Sequence, residues 1–374
     1  MSIIIGGDFV PTSSNADLFN SKDVFALIGK ELKEVLDSAS YRVFNLETPL
    51  ADQITPIKKE GPNLAAPTKC AEGLKRLGVD LVTLANNHIM DQDTTGLKST
   101  IKALSDHGIS YVGAGNNSDE ASRPFIVSVD NRLYGIYACA EHEFSIAEDN
   151  RSGANPFDPL ETPDHIAQLK EKCEYVIVLY HGGIEQYRYP SPDLQRTCRK
   201  LIDKGADLVV CQHSHCVGCM EEYHGGTIVY GQGNFLFDHL NNEYWNSSIL
   251  ISISDQNKID YIPIMKKGKG TRLVFDDERR VILESFLQRS KEIEKKGFIQ
   301  ANYSAFARKS NEYYMLFFSG VNRSLIFRIF NRLSGRRLQR LAACVYKKRR
   351  RLGLINYIDC EAHREIILSG LKQE

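Results

Sequence analysis

The sequence predicts an α/β protein built on a largely parallel sheet, and three observations carry that expectation. Short apolar runs end abruptly in polar residues, as in Leu81-Val-Thr-Leu-Ala-Asn-Asn-His-Ile-Met-Asp91, the pattern of a strand buried on both faces. These runs alternate with segments of helical apolar spacing, several closed by glycine, in the order β-α-β-α-β-α. Right-handed crossovers then set consecutive strands parallel, and ligands of open α/β sheets bind beyond the strands' carboxyl ends.

Residues 3–5 form a short β-branched strand ending in Gly6-Gly7-Asp8, and Phe25, Leu27, Ile28, Leu32, Val35 and Leu36 follow at helical spacing, with Ser21 or Asp23 as N-cap. A second strand, 41–44, ends in Asn45-Leu-Glu47-Thr-Pro49. The loop 52–67, rich in Pro, Lys and Gly, leads to a helix over 68–77 closed by Gly78, then to the strand 81–84 and a helix over 93–107 closed by Gly108. Asp130-Asn131 joins 125–129 to 133–138 as a hairpin. After a Gly/Pro/Asn-rich loop, 152–163, comes a helix over 164–173. The strand 175–179 runs into Tyr180-His181-Gly-Gly-Ile-Glu185. A helix over 191–204 capped by Gly205 precedes the strand 208–211, which ends in Gln212-His213-Ser-His215. Gly225-Gly226 turns a further hairpin, followed by Gly231-Gln-Gly-Asn234-Phe235, a last strand pair over 248–264, and helical pattern from Asp276 onward.

A chain of 374 residues accommodates one large domain with an appendage, or two domains; the expected division is 1–268 and 269–374. Apolar content of 42% and charged content of 25% are those of a soluble globular protein. Basic and acidic residues balance at 47 each. That balance conceals a stretch, 313–356, with no Asp or Glu and with Arg323, Arg328, Arg332, Arg336, Arg337, Arg340 and the run Lys347-Lys-Arg-Arg-Arg351. Nine cysteines form no regular framework, and Cys216-x-x-Cys219 has no second pair at zinc-ribbon spacing. Reduced, buried thiols, a start that does not read as a signal peptide, and no run of about 18 apolar residues lead to a cytoplasmic expectation.

The strand ends, collected, are Asp8; Asn45 and Glu47; Asn87 and His88; His181; and His213 and His215. Carboxylates, an amide oxygen and imidazoles along one rim suit a pair of divalent ions, Mn, Fe, Zn or Mg. One carboxylate must bridge both ions, and Glu47 is the nominee. Water between two cations is a nucleophile at neutral pH, and His88 is placed to protonate a leaving group. Cys216 and Cys219 are a rival ligand pair, read instead as two thiols on a hairpin.

Gly7-Asp8, Asn45-Leu46-Glu47, Ala85-Asn86-Asn87-His88 with Asp91, His181-Gly182-Gly183-x-Glu185, His213-Ser214-His215 and Gly231-Gln232-Gly233-Asn234-Phe235 together resemble the CapA family of capsule and poly-γ-glutamate biosynthesis, within the calcineurin-like metallophosphoesterases. The resemblance spans about residues 2–265 and implies a four-layer α/β-β/α sandwich with a C-terminal helical appendage. It implies Asp8, Glu47, Asn87, His181, His213 and His215 as metal ligands, His88 with Asp91 as catalytic residues, and Asn45, Lys58, Lys59, Asn86, Glu185 and Asn234 toward the substrate. It also implies an anionic polymer or phosphoester substrate, with hydrolysis of a phosphoester or amide bond by a metal-activated water; the alternative is a non-catalytic scaffold of a polymer-synthesis complex. Asp8 is followed by Phe9 and Val10 where the wider superfamily reads Asp-x-His, leaving one ion short of a His ligand, and Glu47 stands where Asp is usual.

The resemblance does not reach the C-terminal third. Phe317, Phe318, Ile326, Phe327, Ile329 and Phe330 lie there beside the arginines. The expected arrangement is a helical subdomain with a solvated basic face. The basic 323–351 region would alternatively contact an anionic membrane face or a polymer synthase; nucleic-acid signatures are absent.

Overall fold

The computed structural model describes residues 2–20, 23–239, 241–318, 325–335, 338 and 349–372. The chain divides into two compact units, Met1–Ile299 and Gln300–Glu374.

The first unit holds two sheets. One has the order β16 (Gly270–Leu273), β15 (Ile259–Lys267), β14 (Ser247–Ser254), β1 (Ser2–Val10), β2 (Tyr41–Leu46), β3 (Leu81–Thr83) and β4 (Ser110–Val112), with β13 (Asn234–Phe237) also on β1. Strands β1 to β4 are parallel, as the helical crossovers require, and β14 to β16 are antiparallel. The other sheet has the order β11 (Met220–Tyr223), β12 (Gly226–Val229), β10 (Leu208–Gln212), β9 (Tyr175–His181), β7 (Arg132–Ala140) and β6 (Phe125–Val129). Its inner strands β12, β10, β9 and β7 are parallel, and the two edge strands are added by the expected hairpins. β5 (Ala114–Gly115) and β8 (Gly153–Ala154) pair apart from both.

Side-chain alternation builds the layers. On β9, Tyr175, Ile177 and Leu179 enter a core shared with β1, β2 and β3, whereas Val176, Val178 and Tyr180 enter a second core with Ile166, Leu169, Leu194 and Leu201. Those last four belong to the helices Thr162–Lys170 and Pro192–Asp203. The first sheet is likewise buried on both faces, since the successive Ile3, Ile4 and Ile5 are each at most 1% exposed. Leu32, Leu74 and Leu104 pack there from the helices Phe25–Asp37, Cys70–Leu77 and Asp93–Asp106. The result is the four-layer α/β-β/α sandwich.

The expected boundary after residue 268 falls inside the β15–β16 hairpin, where Lys267 pairs with Gly270. The first unit also takes in the helix Asp276–Ile293, held by fully buried Phe286 and by Ser290 Oγ, which accepts from Met220 N at 2.9 Å. Helical spacing alone did not show that this helix carries a face for the sandwich. The second unit is helical, with Leu325–Leu333, Arg349–Asp359 and Glu361–Leu371 among its elements. Of the basic residues expected there, Arg323, Arg336, Arg337, Arg340, Lys347 and Lys348 lie outside the described residues. Among the described residues no helix is long and apolar enough to cross a membrane.

One close backbone approach sets the geometry at the head of β1. A Cβ on Gly7 would lie 2.0 Å from the Gly233 carbonyl oxygen, beside the Asp8–Asn234 pairing of β1 and β13. Gly7→Ala should therefore destabilise the fold by about 3 kcal/mol in urea unfolding. Gly225→Ala, in a hairpin turn with nothing within 4 Å but a φ of +86°, should cost about 1 kcal/mol. Equal costs would remove the close approach as a constraint.

Candidate metal centre

Parallel strands present their carboxyl ends at one edge, and the expected site residues fall there from both sheets. Asp8 lies near the end of β1, Asn45 near the end of β2, and Glu47 just beyond it; Asn86, Asn87 and His88 follow β3. From the second sheet, His181 ends β9 and His213 and His215 follow β10. Both His213 and His215 adopt left-handed backbone conformations, with φ of +79° and +52°. Such conformations are costly for residues other than glycine and persist where surrounding structure enforces them.

Two groups have ligand atoms close enough to hold an ion, Glu47–His181–His213 and Asp8–Glu47–His215. Glu47 belongs to both. Asn87 joins the first, its Oδ1 3.1 Å from His181 Nε2. His215 Nδ1 is 3.2 Å from Asp8 Oδ2. Asn87 is half-buried, whereas the carboxylates and imidazoles are almost completely inaccessible and Glu47 is 0% exposed. Neither Glu47 oxygen has a hydrogen-bond partner among the described residues, and His213 Nδ1 has none either. Buried acceptors without protein donors are suited to a cation. The donor set of carboxylates, amide oxygen and imidazoles is compatible with divalent ions.

The electrostatics agree. Burial opposes charge on His215, but the Glu47 carboxylate and the Asp8 hydrogen bond outweigh it and raise its pKa to about 10. His181 is also raised, against its burial, by Glu47 and Asp8. His213 is held well below the ordinary histidine range by burial and by the neighbouring imidazoles. Burial likewise works against the Asp8 carboxylate, yet His215 and His181 lower its pKa. The carboxylates thus already draw positive charge into the pocket.

Several residues expected toward the substrate instead hold the ligands. Asn45 is fully buried, donates from Nδ2 to Asp8 Oδ1 at 2.8 Å and lies 3.1 Å from His181 Nδ1. Asn86, also fully buried, donates to Asn45 Oδ1 and to the Leu46 carbonyl and accepts from His88 N. Asn234 accepts from His215 Nδ1 at 2.8 Å. Lys59 is a further correction: its side chain is only 4% exposed because it forms an ion pair with the inaccessible Asp91, and its Nζ lies 3.3 Å from His88 Nδ1. Asp91 sits behind His88, 2.6 Å from its Nδ1, and accepts from Leu64 N at 2.6 Å, so it positions His88 and the loop 52–67. Lys58 is exposed, and no contact ties it to the centre.

A cleft of about 500 Å³ opens beside the centre, with His88, Glu185 and His215 among its walls. Phe9 packs against Phe19, Phe44 and Phe235 on the opposite face of β1, and the apolar Val10 lines the cleft, so β1 contributes Asp8 without a following ligand. Cys216 and Cys219 are buried free thiols, like most of the described cysteines.

Two participants escaped the sequence reading. Glu143 lies 3.8 Å from His213 Nε2 and accepts from Asn87 Nδ2 at 3.4 Å. It follows the end of β7, a strand end whose polar residues carried the same signal as the others. Trp245 packs on His215 with ring centroids 4.5 Å apart; nothing in its sequence surroundings marked it.

Since both groups use Glu47, Glu47→Gln should remove nearly all bound metal and abolish any rise in thermal midpoint on adding Mn or Zn. His213→Ala should lose metal only in part, because the Asp8–Glu47–His215 group remains. Elemental analysis per chain together with thermal unfolding reads this; metal content in Glu47→Gln equal to that of the wild type contradicts the shared-carboxylate geometry.

The sequence model of the bacterial capsule synthesis protein family PGA_cap matches residues 2–239. The capsule biosynthesis protein CapA of Bacillus anthracis is 29% identical over 218 residues, 56% of this chain and 53% of that protein. The PGA biosynthesis protein CapA of Bacillus subtilis is 30% identical over 169 residues, 44% of each chain. The matched stretch thus spans about half the length of these curated relatives. Among solved structures, a novel phosphatase of Mycoplasma pneumoniae aligns over 71% of this chain and 93% of its own, at 13% identity and a TM-score of 0.44. The family match covers the sandwich from its first strand through every residue of the candidate metal centre, and the chain belongs to the bacterial capsule synthesis protein family PGA_cap.

Proposed function

We propose that the chain is a metal-dependent hydrolase that acts in the synthesis or tailoring of a bacterial surface polymer. The observation that carries this reading is His88. It belongs to neither ligand group, yet it lies on the wall of the cleft beside the centre, with its ring fixed by a buried carboxylate. A purely structural metal site has no use for such a residue. The names of the similar relatives support the polymer context.

Asp8, Glu47, Asn87, His181, His213 and His215 would hold the ions. Divalent ions there would supply Lewis acidity and water of lowered pKa. The chain's own groups do the rest. Asp91 engages His88 Nδ1, which fixes the ring and leaves Nε2 to deliver a proton to a departing oxygen or nitrogen. Lys59 forms an ion pair with Asp91 and so compensates its burial. Asn45 and Asn86 hold the Asp8 and His181 side chains in register. The bond cleaved is a phosphoester or an amide, since water activated by metal acts on either.

A second reading, a ligand-binding subunit of a synthesis complex, draws on Val10, which stands at the His position of an Asp-x-His pattern and lines the cleft without a ligand atom. His88→Ala distinguishes the two. In a hydrolase it should lower turnover by about 10²- to 10⁴-fold and leave metal content near wild type. Turnover is measured on the best substrate from a screen of phosphoesters and γ-glutamyl amides. A fully metal-loaded wild type with no turnover across that screen favours the second reading, and loss of metal in His88→Ala makes His88 a ligand.

A further inference from the structure

The cleft beside the metal centre has a composition that selects a substrate class. One wall is aromatic: Phe237 lies 4.7 Å from Trp245 and 5.8 Å from His239, nearly parallel to the latter, and His239 is exposed. Next to it, Thr12, Ser13 and Ser14 bring hydroxyls, and Ser14 Oγ hydrogen-bonds Asp238. Glu185, exposed, adds a second carboxylate. The indole N–H of Trp245 is buried and has no acceptor among the described residues. Among the described residues no Lys or Arg lines this cleft. Asp238 is neutralised from outside it by Lys266, 2.8 Å away.

Each feature points the same way. Carboxylates accept hydrogen bonds from hydroxyl groups, and charge-assisted bonds of this kind are the strong ones. Flat aromatic faces pack against the C–H faces of a ring. A polyanion, by contrast, would find no Lys or Arg among the described lining residues, and His215, whose pKa is raised, is already engaged by Asp8 and Glu47, so little free positive charge is left to receive it. We infer that the cleft takes a neutral, polyhydroxylated ring, a glycosyl unit of the substrate, with its scissile ester or amide directed at the metal centre. This rests on reading the cleft as the substrate cleft of the proposed hydrolase. It departs from the anionic polymer expected from sequence: the negative charge of the substrate is confined to the reacting group.

Trp245 is the sole tryptophan of the chain, so its emission reports occupancy of the cleft without any turnover. The full-length protein is titrated with neutral oligosaccharides of glucose, galactose, mannose, rhamnose and N-acetylglucosamine, and with an oligomer of γ-linked glutamate. A saturable change with at least one neutral sugar, and none with the glutamate oligomer, is expected. His239→Ala, at an exposed position, should weaken the sugar by about tenfold and leave metal content unchanged. Saturable binding of the glutamate oligomer, silence across the whole sugar panel at millimolar concentration, or unchanged sugar affinity in His239→Ala overturns the inference. Sugar binding without hydrolysis of any ester would leave the cleft assignment standing and remove the hydrolase; hydrolysis without sugar binding does the reverse.

Discussion

Glu47 has no solvent exposure, and neither carboxylate oxygen receives a hydrogen bond from the described residues. A carboxylate taken out of water costs several kcal/mol unless a counter-charge compensates it. The surrounding compensation is a ring of imidazoles, two of them with raised pKa values because Glu47 and Asp8 favour their charged forms. Divalent ions would satisfy the same carboxylate more completely. Much of the local structure serves that one group. The left-handed turns at His213 and His215 bring two imidazoles off a single strand end, and the approach of Gly7 to Gly233 lets β13 lie against β1 at Asp8. Asn45 and Asn86 then tie the three neighbouring strand ends together.

The strand ends were legible because burial on both faces makes parallel strands nearly uniformly apolar, so any polar residue at their ends stands out. Asp8, Glu47, Asn87, His181, His213 and His215 all fell to that contrast. The division into two sheets was not legible in periodicity: β9 and β10 are buried on both sides, one side against the other sheet and one against helices, and both surfaces read as the same apolar run. The four-layer arrangement came from the family resemblance. Lys59, expected toward the substrate, is buried instead, and that burial depends on Asp91, which reaches it only through the fold. Glu143 repeats the strand-end signal at β7 but sits three residues past the strand, where the contrast had faded. The strand β16 is short and polar, and its pairing partner, not its composition, makes it a strand.

The site combines two environments that differ in charge. At the strand ends, imidazoles and carboxylates are buried together in a set compatible with divalent cations. Beside them, the cleft wall is aromatic and hydroxyl-bearing, with carboxylates and no lining Lys or Arg among the described residues. His88 stands at the junction, its Nδ1 held by Asp91. Such a junction suits a substrate with one charged or polarisable reacting group on an otherwise neutral body.

The most direct test of the metal centre is anomalous diffraction from crystals grown with Mn, collected on either side of the metal absorption edge. Anomalous density within about 2.2 Å of a Glu47 oxygen, also in reach of His181 and His213 or of Asp8 and His215, is the expected result. Crystals in which Mn binds elsewhere, or in which Glu47 is met only by water or protein donors, would contradict it.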